Sequence, residues 1–294
     1  AIVASIFVNC FCTPENLTNI LNRAVPLGIV AIGMTFVVIS GNYLDLSVVA
    51  QVATSGVIFL AVGTEYGLGL ATLAATGAAI LYGLVNGFAV GVFKANAVIV
   101  TLSTTYIGLG LLRYFSGGSI FFGPPDGPMD VFGSGRLGPI PYSAFVFFGL
   151  TLLLSVLLTR TNFGFLVKSF GVNEKATRLG GVNTDFVIVG AFLVTALSAM
   201  VAGFVFAAYS NTAVSTMAQG FDFKALGAII IGGTSVFGGR GSVLRTLLGV
   251  IFVSVLDNVL ILLGFTFGVQ QLALGALILL AVTLDVMSRK LGQK

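Results

Sequence analysis

Eight long runs of this chain carry no Asp, Glu, Lys or Arg: residues 24–44, 46–64, 66–93, 95–112, 137–159, 186–221, 225–239 and 258–284. In hydrocarbon a backbone N–H or C=O finds no water, so a crossing segment must pair these groups internally, as a helix of about 20 apolar residues does. The runs therefore read as membrane spans. A mean hydropathy of +1.08, with 57% hydrophobic and only 8% charged residues, excludes an ordinary soluble domain.

Ten spans are expected, at roughly 1–12, 24–41, 47–64, 67–93, 96–115, 142–159, 184–209, 223–239, 242–263 and 267–287, some of them broken or short. At about 20 residues each they consume most of the chain. The expectation is thus an all-α integral membrane protein, with residues 1–294 forming a single transmembrane domain. The sequence begins at Ala1 without a methionine, and a cytoplasmic tail with the start of the first span is expected to precede it.

Loop cations set the orientation, because positive loops stay on the cytoplasmic side. With both ends inside, Lys94, Arg160, Lys168, Lys175, Arg178, Arg240, Arg245, Arg289, Lys290 and Lys294 are cytoplasmic, and only Arg23, Arg113, Arg136 and Lys224 are external. The net charge of +4 is a matter of topology and gives no argument for nucleic-acid binding. Cys10 and Cys12 lie in the apolar first span and read as small hydrophobes. With two thiols and no histidine, neither a metal site nor a redox pair is expected.

One segment breaks the apolar pattern. "VKSFGVNEKATRLGGVNTDF" (167–186) gathers Lys168, Glu174, Lys175, Arg178 and Asp185 between the sixth and seventh spans, on the cytoplasmic side. Residues 174–179 suit a short helix, with Asn173 as N-cap, Gly180 and Gly181 as its end, and Glu174 facing Arg178 four residues on. It reads either as a solvated turn or as a helix docked in a soluble partner.

"FGVNEKATRLGGVN" resembles the coupling segment of permease subunits of bacterial ABC sugar importers of the ribose/xylose/arabinose type. "AIGMTFVVISGNYLDLSVVA" (31–50) and "GFDFKALGAIIIGGTSVFGGRGSVLRTLLG" (220–249) are similar to two further blocks of that family, in the same order. The resemblance spans nearly the whole chain. It implies a bacterial inner-membrane subunit that forms the pathway for a small sugar. Its implied partners are separate ATPase subunits carrying ATP and Mg, a second permease subunit and a periplasmic binding protein.

It further implies that Gly171, Asn173, Glu174, Lys175, Ala176, Arg178 and Leu179 couple to the ATPase, with Glu174, Lys175 and Arg178 as rim contacts and Ala176 and Leu179 as the packed face. The chain departs from the family at Asn42, Tyr43, Val49 and Arg245, where glycines are usual. Those bulkier residues put close packing there in doubt and favour a heterodimer with a more typical permease over a homodimer.

Other motifs admit two readings. In "GGTSVFGGRGSV", Gly233 and Gly238 have phosphate-loop spacing, but the Lys-Ser/Thr is missing and no strand precedes it. Gly232, Gly233, Gly238, Gly239 and Gly241 instead read as a Gly-rich break that allows close helix contact, and no cofactor is expected on this chain. Asp45, with Asn42 and Ser47, is either a helix cap or a gating charge. Asp257 beside Asn258 reads first as a structural pair and second as a pathway residue. The Gly/Pro-rich external segment 116–142, with Phe121, Phe122 and Phe132, reads as an ordered cap on which a binding protein could land, or else as a simple lipid-interface anchor.

The alternative function is a self-sufficient secondary transporter or channel for a small neutral solute, which the scarcity of ionisable groups within the spans disfavours. An intramembrane enzyme is weaker still, because no nucleophile and base can be paired from these residues.

Overall fold

The computed structural model describes residues 11, 13–41, 44–124, 127, 133–138 and 140–291. Apart from Phe11, the expected first span with Cys10 and Cys12 lies outside the described residues, as do Asn42, Tyr43, Phe132 and Lys294. The helices are α1 (Pro14–Ile39), α2 (Val48–Tyr66), α3 (Leu68–Gly91), α4 (Ala97–Ser116), α5 (Tyr142–Arg160), α6 (Asn162–Val172), α7 (Glu174–Leu179), α8 (Thr184–Ser210), α9 (Phe221–Ile231), α10 (Val243–Leu262) and α11 (Phe267–Leu291). Two short ladders complete the order: β1 (Phe121–Phe122) pairs antiparallel with β4 (Thr212–Ala213), and β2 (Arg136–Leu137) with β3 (Ile140–Pro141).

Seven of the described helices are long and apolar enough to cross a membrane, and the chain is an all-α multi-pass membrane protein. Two stretches differ from the sequence expectation. The expected span 223–239 is only the 11-residue α9, about 16 Å at 1.5 Å per residue, followed by a glycine-rich turn. Hydropathy alone runs on through that turn, so it does not show the break. The loop after the sixth span contains a further helix, α6, capped at its start by Thr161, whose Oγ1 accepts from the Gly164 N–H at 3.2 Å.

α1 and α8 form the centre. The most apolar window of α1 is 94% buried and that of α8 67%, against 22% for α3 and 17% for α4, which present Leu, Ile and Phe side chains outward as lipid-facing helices do. Close approach to α8 relies on glycine. On α3, Gly83, Gly87 and Gly91 recur every four residues against it; a Cβ at Gly83 would stand 2.9 Å from the Leu193 Cα, and one at Gly87 2.7 Å from the Val189 Cα. This is the small-xxx-small packing that draws helices together where apolar burial gives no preference over lipid.

The contacts sort the connections into two faces. Lys94, residues 39–41, the segment from 162 to 185 and the turn 232–242 meet at one end. The β1–β4 ladder and the Lys224–Asp257 pair lie at the other. By loop charge the first is cytoplasmic. In a background with Cys10→Ser and Cys12→Ser, cysteines placed by Ser134→Cys and Thr177→Cys are expected to react with an impermeant maleimide from opposite sides of the membrane. Reaction from the same side refutes this topology.

Candidate functional site

The charged segment forms a 6-residue helix, α7, with the caps its sequence suggests. The Asn173 Oδ1 accepts from the Ala176 N–H at 3.0 Å, and the chain leaves through Gly180 and Gly181, the latter at φ +81°. Glu174 and Arg178 are 3.7 Å apart on one face. That face turns toward its own chain. Lys94 Nζ lies 3.1 Å from Glu174 and 2.9 Å from Asp185 at the start of α8, while Arg178 lies 2.7 Å from Asp185 and donates to the Thr184 hydroxyl.

Partial burial disfavours the Lys94 ammonium, yet hydrogen bonds and charge from Asp185 and Glu174 outweigh it, so its pKa stands above the usual lysine value. Lys94 adopts φ +55°, a conformation that L residues rarely take and that persists only where the surroundings enforce it. Here it spans two carboxylates on different elements.

This cluster adds in-chain partners to the residues read from the sequence. Glu174 and Arg178 are held by in-chain ion pairs, while Lys175, Ala176 and Leu179 face outward, with Leu179 89% exposed. Lys94 and Asp185 were missed as site residues because they join α7 from 80 and 7 positions away, distances that no helical spacing reveals.

Behind α7, three chain segments converge on glycines. The Gly239 N–H donates to the Ile39 carbonyl at 2.8 Å, and a Cβ at Gly171 would collide with that same oxygen. A Cβ at Gly238 would meet Gly41, and one at Gly239 would stand 2.7 Å from Val172. Gly232 packs against the Arg245 carbonyl, and Gly241 against Thr234 and Ile39. A Cβ at Gly233 would meet no neighbour within 4 Å; its φ of +81° is what requires glycine there. Close packing survives at Arg245 because its side chain is exposed and only its backbone faces Gly232.

Between the glycine junction and the bilayer centre lies a buried polar hub. Asp45 is 0% exposed, and its carboxylate accepts from the Ser47 N–H at 3.0 Å, from the Ser47 hydroxyl, and from the Gln51 amide at 3.2 Å. The Asn86 amide on α3 donates to the Ser47 Oγ at 2.8 Å and its carbonyl accepts from Thr104 on α4 at 2.9 Å, so the hub ties three spans together. No cation pairs with Asp45 among the described residues. At the outer end, Asp257 pairs with Lys224 at 2.5 Å, and Asn258 exchanges amide hydrogen bonds of 2.9 and 3.1 Å with Asn16. The described residues contain no group of three or more His, Cys, Asp or Glu able to hold a metal.

Comparison with known proteins places this architecture. Residues 16–283 match the family described as branched-chain amino acid transport system / permease component. The chain is 34% identical to the galactofuranose transporter permease YtfT of Escherichia coli over 89% of its length and 76% of the relative's. It is 32% identical to the ribose import permease RbsC of Bacillus subtilis over 97% and 88%, and 31% identical to the autoinducer 2 import permease LsrC of Salmonella paratyphi B over 86% and 73%. No solved structure matches. The chain belongs to this permease family, as a multi-pass membrane subunit of the ABC sugar importer type.

Proposed function

We propose that this subunit forms the inner-membrane pathway for a small sugar delivered by a periplasmic binding protein. ATP and Mg are held on separate ATPase subunits that seat α7, and the second permease of the assembly is a different, more typical chain. The observation that carries the reading is the two-sidedness of α7. Its inner face is strapped to Lys94 and Asp185, and its outer face offers Ala176 and an almost fully exposed Leu179. A helix of 6 residues is far below the roughly 12–15 needed for marginal stability in water, so contacts on both sides hold its shape.

The same geometry gives a transmission route. Closure of an ATPase dimer would move α7. Its straps pull the α3–α4 connection and the start of α8, while α6 bears through Gly171 on the end of α1 and on the turn 232–242. Individually the exposed ion pairs contribute up to about 1 kcal/mol each, so they steer the helix without fixing its partner. Asp45, held by three donors at the root of α2, is the gating element of this scheme, because its hub joins the helices that must shift together.

Ala176→Glu places a charge in the middle of the docking face and is expected to abolish ATPase co-purification from membranes. Retained assembly with transport-coupled hydrolysis would refute docking through α7, and recovery of only one kind of permease chain from the native complex would refute the heterodimer. Lys94→Met together with Arg178→Met cuts both straps but leaves Ala176 and Leu179 in place on the outer face, so the complex should assemble while solute moved per ATP falls several-fold. Unchanged stoichiometry counts against transmission through the cluster.

Asp45→Leu removes an acceptor from three donors, each left unsatisfied at roughly 1–3 kcal/mol, and should lower the melting temperature in detergent steeply. Asp45→Asn is expected to fold, because the Gln51 Oε1, which has no partner among the described residues, accepts the new amide when Gln51 turns over, and to transport poorly. Transport at the native rate in Asp45→Asn removes the gating role.

A further inference from the structure

Asp45 is fully buried, yet no opposite charge meets it. The sequence from 24 to 93, which holds α2, α3 and most of α1, has no Lys, Arg or His. On the elements packed around α2 the cations are committed elsewhere: Lys94 to Glu174 and Asp185, Arg113 to the Ser215 hydroxyl at 3.3 Å, and Lys224 to Asp257. The other acids of these elements lie at their far ends: Glu65 closes α2, Asp222 opens α9, and Asp185 opens α8 inside the ion cluster. The Tyr82 hydroxyl of α3 is shared with Thr54. No Lys or Arg among the described residues donates to Asp45, Ser47, Gln51 or Asn86. Because its own chain closes over Asp45, a second subunit cannot supply a counter-ion either, and a bare carboxylate there bears the full cost of lost hydration.

The two carboxyl oxygens are unequally held. Oδ1 accepts from both the N–H and the hydroxyl of Ser47, whereas Oδ2 has only the Gln51 Nε2, at 3.2 Å. Gln51 is itself 1% exposed, and its amide oxygen has no partner among the described residues. Turning that amide over exchanges its nitrogen and oxygen, and it brings Oε1 within reach of Oδ2. Two acceptors then face each other, and a proton between them makes the contact a hydrogen bond. The Ser47 hydroxyl, 2.6 Å from the same amide position, can donate to either oxygen. The turned amide leaves one N–H group unpaired, which costs less than a buried charge without a counter-ion. Contacts this short fit a proton, whereas a metal ion would have to push the side chains apart.

We propose that Asp45 is a proton-binding site: Oδ2 takes a proton from water on the cytoplasmic side and donates it to the Oε1 of the turned Gln51. A crevice between the end of α1 and the start of α4, lined by Gly41, Leu44, Lys94 and Asn96, reaches the residue next to Asp45 and gives the proton its way in. The acid is the form held at neutral pH. The hub then has two hydrogen-bond arrangements that differ by one proton and one amide turn, a discrete pair of the kind that moving elements switch between. Asp45→Asn copies the acid form and cannot leave it. This site goes beyond the transport reading and does not depend on which solute is carried.

Infrared difference spectra of the chain in lipid nanodiscs test the assignment. The native minus Asp45→Asn spectrum at neutral pH is expected to show the C=O stretch of a carboxylic acid, which fades as the buffer is made strongly alkaline. The same band should remain in Asp222→Asn, the control for another aspartate of intermediate exposure. Gln51→Leu keeps Asp45 but removes the acceptor of its proton, so the band should persist at a higher wavenumber; this variant identifies it without relying on the folding of Asp45→Asn.

Only carboxylate stretches in the native minus Asp45→Asn spectrum, or an acid band indifferent to both the Asp45 and the Gln51 substitutions, overturns the proton site. An acid band that disappears in Asp222→Asn and survives in Asp45→Asn overturns it as well. Either result leaves the gating role standing, since transport by Asp45→Asn decides that separately.

Discussion

Wherever a helix ends within packed protein, its last carbonyls and the next N–H groups must find partners in protein, because no water reaches them. Among the described residues, the ends of α1 and α9, after Ile39 and after Ile231, meet at the cytoplasmic end of the bundle and close on each other. The Gly239 N–H bonds the Ile39 carbonyl, and Gly171 of α6 lies against that same oxygen. Glycine is required in all three segments because any side chain would hold the backbones apart. The satisfied backbone and α6, which leads into α7, are therefore one junction: α6 cannot move without bearing on both helix ends.

The proposed transmission depends further on how closely α8 is held. Its neighbours approach it through glycines, Gly33 of α1 and Gly83, Gly87 and Gly91 of α3, while its own Gly203 meets α2. Interiors packed at this density shift between discrete arrangements and do not deform gradually. The N-terminal turn of α8 carries Asp185, which receives both Lys94 and Arg178. A force on α7 thus reaches the most widely contacted helix of the bundle through charge-assisted bonds.

Much of this was legible in the sequence, for reasons that explain the exceptions. Apolar runs expose spans because lipid imposes the same demand on every one, and the caps of α7 are local chemistry: Asn173 and Gly181 act within a few residues. The branching of the ion cluster was not legible, since Lys94 and Glu174 are 80 residues apart and only the fold unites them. Nor was the shortness of α9, because the Gly-rich turn after it is as free of charge as a span. The glycine stripe of α3 did leave a signal, a repeat of four at 83, 87 and 91, in a helix whose apolar character drew attention from its small residues. The Asp45 hub lay between these cases: the Asp45 and Ser47 half is local, while Asn86 and Thr104 come from two other spans.

α8 also explains how events on the two faces stay linked. Its 27 residues measure about 40 Å. At one end Asp185 sits in the ion cluster; at the other, Phe206 stacks on Phe221 of α9, and Ala207 and Ala208 are buried. Close contacts run along the helix from Gly91 of α3, against Asp185 and Ile188, to its own Gly203 against α2. A helix held along its length in this way shifts together with its neighbours and does not swing as a free lever. Under the proposed coupling, a movement at α7 would therefore reach the outer face only by moving the packed bundle, in which the Asp45 hub links α2, α3 and α4.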